Sequence, residues 1–225
     1  MNSVLVETLL DAWAVLLPVD CAGCGVADRG LCSACRAQLV ADPLTGALAD
    51  GTPVFSALRY AGVARSAILA LKEQGRTDVA AALAGRLAVA ASVGLRQFPA
   101  GVEAVTVPTS RSAWRRRGYD PVRLLARKAG LRPLRHVLEP IRGHQEQKRL
   151  GREARGRNLA GSMLARHPLA GRRIMLVDDV LTTGATLGEA ARAIRAAGGE
   201  VEGGVTLAFT PRNFPTWQGH TGENE

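Results

Sequence analysis

Lysine is scarce in this chain. Of 29 basic residues in 225, only Lys72, Lys128 and Lys148 are lysines, so arginine carries most of a net charge of +9. No Gly-x-x-x-x-Gly-Lys-Ser/Thr stretch occurs, which removes a P-loop phosphate cradle. The four histidines (His136, His144, His167 and His220) fall at no metal or triad spacing, and no side chain stands out as a dedicated nucleophile. Long apolar runs are missing too. The stretch from Ser3 to Leu17 is interrupted by Glu7 and Asp11 and has no basic residue before it, which fits neither a secretory signal nor a bilayer span. Leu5, Leu9, Trp13 and Leu16 recur there at helical spacing, so an amphipathic helix ending at Pro18 is expected. No other segment reads as a span. A cytoplasmic chain with no membrane partner is the expectation.

What is present is the composition of a folded protein, with 47% hydrophobic and 22% charged residues. A mass of 23.7 kDa suits one domain plus a small module. A pI near 10.4 points to an anionic partner, and the planar guanidinium fork suits phosphate. A GC-rich genome would give the same arginine excess for no chemical reason, so the excess alone decides nothing.

All four cysteines fall in one window, as Cys21-Ala-Gly-Cys24 and Cys32-Ser-Ala-Cys35. Two Cys-x-x-Cys knuckles can present four thiolates to one Zn²⁺, a closed tetrahedral site and therefore a structural one. Gly23 and Gly25 would give such a knuckle its backbone freedom. Two disulfides or redox-active pairs are the alternatives, which a reducing compartment disfavours. A ribbon this small has little apolar core, so the metal would supply most of its folding energy.

The richest stretch runs from Arg172 to Leu187. Ile174 to Val177 is an unbroken apolar run, as in a buried parallel strand. After Leu187, the residues Ala190, Ala191, Ile194 and Ala197 repeat at helical period until Gly198-Gly199, and Val205 to Phe209 supplies another strand. Strand, acidic pair, Thr/Gly loop, helix and strand make a βαβ unit. Thr182, Thr183, Gly184, Ala185 and Thr186 would offer backbone N–H groups, hydroxyls and the positive helix end to a phosphate. Asp178 and Asp179 would stand at the carboxyl end of the strand, where open α/β sheets place ligands. Beside a phosphate, two carboxylates need another role, such as holding ribose hydroxyls or lying near a hydrated Mg²⁺. A sugar phosphate with a vicinal diol satisfies both halves of the loop.

The stretch from Val177 to Thr186 closely resembles the phosphoribosyl-pyrophosphate (PRPP) motif of type I phosphoribosyltransferases. Tyr60-Ala-Gly-Val with Leu69-Ala-Leu-Lys72-Glu-Gln-Gly75 is similar to a segment of the ComF-like (also GntX-like) family within that fold. Similar to it as well are Val107-Pro108 with Arg117-Gly118-Tyr119-Asp120, and Gln147-Lys-Arg-Leu150 with Arg155-Gly-Arg-Asn158. The paired cysteines also belong to that family's pattern. The resemblance spans about Leu16 to Phe209, and departs from the family at Asp120-Pro121 and at Gly151 and Gly156.

The resemblance implies an α/β type I phosphoribosyltransferase fold, a parallel sheet flanked by helices, with an N-terminal zinc ribbon. It implies binding of PRPP with Mg²⁺ and transfer of phosphoribosyl to an unknown acceptor with release of pyrophosphate. Asp178 and Asp179 would hold the ribose hydroxyls and Thr182 to Thr186 the 5′-phosphate. Thr109, Ser110 and Arg111 would meet pyrophosphate, with Lys72 as a further cation. Gln145 to Asn158, basic and without apolar period, would be a lid acting through Gln147, Arg155 and Asn158. Arg115, Arg116 and Arg117 read equally well as a solvated basic turn. The expected layout is a helix and ribbon over 1–45, with Asp42 to Gly46 as linker, an α/β unit over 46–210, and a loose tail over 211–225. The competing reading is a non-enzymatic competence or DNA-uptake factor that binds single-stranded DNA or nucleotides.

Overall fold

The computed structural model describes residues 19–28, 30–141, 161–211 and 218–219. Two short strands, β1 (Val19–Asp20) and β2 (Ala27–Asp28), pair antiparallel ahead of helix α1 (Ser33–Gln38). Strands β3 (Leu44–Ala47) and β4 (Pro53–Arg59) form a hairpin, followed by α2 (Gly62–Glu73) and α3 (Ala80–Gln97). Next come β5 (Glu103–Thr106), the short α4 (Arg111–Arg117) and α5 (Pro121–Lys128). A second hairpin, β6 (Leu138–Pro140) with β7 (Met163–Ala165), leads to β8 (Arg173–Leu181), α6 (Ala185–Ala196) and β9 (Glu200–Phe209). A two-residue strand, β10 (Gln218–Gly219), ends the described chain.

The central sheet has the order β10-β3-β4-β9-β8-β5, and β4, β9, β8 and β5 run parallel. Parallel strands demand helical crossovers, which cover both faces. Side-chain alternation along β8 divides the core accordingly. Met175 and Val177 face one layer with Phe55, Ile68, Leu83, Leu87 and Leu125, while Ile174 and Leu176 face the other with Leu187 and Ile194. The apolar run seen in the sequence is therefore buried on both sides, and the expected strand-loop-helix-strand unit is β8-α6-β9.

Several expectations change. The stretch expected to be a linker carries β3, because Leu44, buried on the α6 face, pairs with Ser56 of β4. In the tail, Gln218 and Gly219 extend the sheet edge by pairing with Thr45 and Leu44. The cysteine module does not stand apart either. Leu31 and Leu39 are buried in the same cluster as Leu58, Ile68 and Leu71, so apolar burial supports the module as well as any metal. Arg76 fastens the two together by donating to the carbonyl oxygens of Asp20 and Gly30. Finally, the stretch Thr77–Gln97 is long and apolar enough to cross a membrane by length and composition, although no such segment was expected. Here it is a core helix, with Leu83, Leu87 and Ala91 of α3 buried among sheet residues such as Phe55 and Val205.

The β6–β7 hairpin is placed by a buried charge. Glu189 of α6 accepts from the Met163 backbone N–H at 2.9 Å, and Arg192 donates to the Met163 carbonyl and to both Glu189 oxygens at 2.8 Å. A carboxylate with 3% of its side chain exposed is tolerable only with such partners. Burial alone would raise the Glu189 pKa, but Arg192 and the N–H groups of Met163 and Gly161 hold it below the usual range. This contact sets where the hairpin stands over the sheet.

Candidate functional site

A cleft of about 480 Å³ opens at the carboxyl ends of β5 and β8, lined among others by Lys72, Thr109, Arg117, Asp178, Asp179 and Thr186. Sheet topology makes it: parallel strands end together, and the connections leaving β5 and β8 diverge to opposite faces. The hairpin contributes Pro140, Ser162 and Met163 to the wall facing the acid pair. A larger cleft of about 670 Å³, between β7 and α6, has no carboxylate among the described residues of its lining.

Asp178 and Asp179 lie in the second half of β8, which runs on to Leu181. Lys72, in the last turn of α2, reaches across to Asp179 with its Nζ 3.0 Å from each carboxylate oxygen. Burial works against the Lys72 ammonium, but Asp179, and behind it Asp178, more than compensate and raise its pKa above the usual lysine value. Asp178 keeps some surface on the cleft, yet its carboxyl sits deep among protein atoms. Burial, then the neighbouring Asp179 charge, pushes its pKa up to about 8, although it accepts from the Asp179 N–H at 2.8 Å. The shift favours the protonated form of Asp178 beside the Lys72–Asp179 ion pair. Both oxygens of Asp179 face the Lys72 ammonium, so any Mg²⁺ bound directly to this pair would have to compete with it.

The loop after β8 divides. Thr182 and Thr186 line the cleft, whereas Thr183, Gly184 and Ala185 line a neighbouring groove against the β3–β4 turn. Gly184 stands at the N-cap of α6 with φ 76°, a left-handed conformation that favours glycine, and has no side chain with which to cap that helix end. The Thr183 hydroxyl accepts instead from the Ala185 N–H at 3.4 Å. The positive end of α6 therefore points outward beside the acid pair.

On the other side, the loop from Val107 to Ser110 is shorter than expected, because Arg111 already opens α4. Ser110 caps that helix by accepting from the Ala113 N–H at 3.3 Å. The departure at Asp120-Pro121 is a helix start: Asp120 accepts from the Arg123 N–H at 3.0 Å and Pro121 takes the first helical position. The three arginines separate. Arg115 and Arg116 are exposed, but Arg117 has only 10% of its side chain exposed, lines the cleft and donates to Glu73 at 2.9 Å. From sequence Arg117 was one of three arginines that could equally add charge beside the pyrophosphate loop or form a solvated basic turn, and Tyr60 and Ser162 had no assigned role. Arg117 and Tyr60 stood within quoted motif stretches, which was the available signal; Ser162 had none. Gln147, Arg155 and Asn158 lie outside the described residues.

Away from the cleft, the four cysteine sulfurs lie within 4.8 Å of one another. Sulfurs at about 2.3 Å from a common zinc stand roughly 3.8 Å apart, which is the Cys24–Cys32 separation of 3.8 Å. The strand pair β1–β2 carries the first knuckle and the N-cap of α1 the second. Gly25, at φ 77°, makes the turn. Gly23 is required for space, since a Cβ there would sit 2.6 Å from the Cys35 Sγ. Burial opposes ionisation of Cys21, but N–H groups of Cys32, Cys24 and Gly23 bring its pKa down to about 6; burial raises that of Cys35. Cys21, Cys24, Cys32 and Cys35 fit a zinc ion, which would supply charge neutralisation and cross-linking. Elemental analysis of the purified chain should give close to one zinc per molecule, and a Cys35→Ser variant should lose it together with several degrees of Tm.

Asp178 also sets a pH dependence. Its folded pKa lies above the unfolded value, so the folded state holds a proton that the unfolded chain releases near pH 3.8. That stabilisation is complete below the unfolded pKa and disappears as pH rises through about 8. Wild-type stability should therefore fall relative to that of Asp178→Asn as pH rises toward about 8, by about 1.4 kcal/mol per pH unit, with Tm falling in parallel. Parallel thermal melts across pH check this.

No protein-family model matches the chain. It is 33% identical to the DNA utilization protein YhgH of Salmonella typhi over 54% of this chain and 56% of that protein. It is 44% identical to an orotate phosphoribosyltransferase of Xanthomonas euvesicatoria pv. vesicatoria over 26% of each. The chain thus spans about half the length of the first relative and a quarter of the second. Among solved structures, an orotate phosphoribosyltransferase from Aeropyrum pernix matches at 18% identity and a TM-score of 0.30, over 75% of this chain and 87% of that one; at that level the likeness says nothing further. With the motif residues brought together at the end of a parallel sheet, the chain is similar over part of its length to a DNA utilization protein and to an orotate phosphoribosyltransferase.

Proposed function

We propose that the cleft binds PRPP and that the protein transfers its phosphoribosyl group to an acceptor with release of pyrophosphate. The observation that carries the reading is the juxtaposition of Asp178 and Asp179 with Thr182 and Thr186, on either side of the N-terminus of α6, in the lining of a single cleft. Ribose hydroxyls would lie against Asp178 and Asp179. The 5′-phosphate would meet the loop from Thr182 to Thr186, where N–H groups and the helix dipole favour an anion. Thr109, Ser110 and Arg111 would receive the pyrophosphate, with Lys72 and Arg117 as nearby cations and Gln147, Arg155 and Asn158 acting from the segment that follows Ile141. The chain's task would be to position the anomeric carbon and to stabilise the charge gathering on the leaving group. Four free thiols grouped at a metal-type site suit a reducing, cytoplasmic compartment.

Calorimetric titration of PRPP with Mg²⁺ into the protein should show binding that Asp178→Ala/Asp179→Ala loses by at least about tenfold, or about 1.4 kcal/mol. Absence of binding at millimolar PRPP would sink the reading. Pyrophosphate release across a panel of nucleobases and other nucleophiles would then identify the acceptor.

A second reading is favoured by one surface. Arg115, Arg116, Arg127, Lys128, Arg132 and Arg135 are all exposed on consecutive elements, and one relative is a DNA utilization protein. Single-stranded DNA held there by phosphate contacts should show affinity that drops steeply with salt as counterions are released. Affinity that stays level from low to physiological salt would exclude that mode.

A further inference from the structure

The acid pair is occupied by the chain's own cation. Lys72 Nζ sits 3.0 Å from both oxygens of Asp179, a bidentate contact on the face that looks into the cleft. The lysine is held there by its neighbours on either side. The Tyr119 hydroxyl donates to the Leu71 carbonyl, Arg117 donates to Glu73 at 2.9 Å, and Arg116 approaches Glu73 at 3.4 Å. Three consecutive residues closing α2 are thus tied to three other parts of the fold. The negative end of the α2 dipole favours a cation at that same turn. Asp120 and Tyr60 are the other titratable groups near the trio, and Asp120 is committed to capping α5. A hard divalent ion needs several free oxygens around it, and here the buried carboxylate oxygens already face an ammonium.

We propose that Lys72 is the resident counter-cation of the Asp178–Asp179 pair and keeps a divalent ion from binding directly to these carboxylates. Its removal would uncover an oxygen site with no internal partner. The inference concerns the same cleft as the phosphoribosyl reading but stands on the ammonium–carboxylate geometry alone.

Mn²⁺ is the probe, followed by the paramagnetic resonance of the free ion, with the zinc-loaded full chain so that thiolates do not compete. Wild type and Lys72→Arg should leave Mn²⁺ free where Lys72→Met binds it at least about tenfold more tightly, because an unpaired buried carboxylate gains most from a cation. Adding Asp179→Asn to Lys72→Met should abolish the gain. Wild-type binding as tight as that of Lys72→Met and lost in Asp179→Asn would overturn the proposal, as would a folded Lys72→Met that gains nothing. Should Lys72→Met fail to fold, wild type against Asp179→Asn decides: Mn²⁺ bound by the first and lost from the second overturns it, and no binding by either supports it. Failure of PRPP to bind, with these Mn²⁺ results as expected, would remove only the phosphoribosyl reading.

Discussion

A carboxylate at the end of a buried parallel strand needs a partner, and much of the cleft is arranged around meeting that need for Asp179. Only 9% of its side chain is exposed, so an uncompensated charge there would cost several kcal/mol. Lys72 supplies the compensation from a helix remote in sequence, and this fixes where α2 ends relative to β8. With the end of α2 fixed, Glu73 is in place to receive Arg117 and Leu71 to receive Tyr119. The pairing therefore sets the distance between the acid pair and the α4 wall.

The other wall depends on a second buried carboxylate. Glu189 and Arg192 clasp both polar groups of the Met163 backbone, so the β6–β7 hairpin is held to α6 through its main chain rather than through side-chain shape. The helix that presents its N-terminus to the cleft thus also carries the hairpin that faces it. Cleft width follows from α6, which the flanking strands β8 and β9 position on the sheet.

Much of this was legible in the chain. The apolar run at Ile174, the acidic pair and the threonine-glycine loop announced a strand, a turn and a helix, since each rests on local periodicity and backbone preference. Cys21 to Cys35 announced a sulfur cluster by spacing alone. Where the reading missed, the cause was pairing at a distance. Leu44 looks like part of a linker because the Pro and Gly around it signal a break, but a strand partner twelve residues on, Ser56, takes it into the sheet. Gly23 was credited with backbone freedom, yet its requirement is room for the Cys35 sulfur, a residue twelve positions away. The arginine run from 115 to 117 gave no sign that one of three would be half-buried, because its placement depends on pairing with Glu73, 44 residues away in the chain.

The sequence by itself determined the chemical inventory, namely two adjacent carboxylates before a phosphate-type loop and four thiols in knuckle spacing. It did so because these features are written in residues close enough to be read together. The tertiary structure alone decided that Asp179 is paired with the chain's own Lys72, that Thr182 and Thr186 face the cleft while Thr183 lines a neighbouring groove, and that the cysteine module shares the main core. Those outcomes depend on which side chains meet across 40 to 150 residues of chain, as Lys72 meets Asp179 at a separation of 107. No local pattern encodes such a meeting; the folded sheet brings it about.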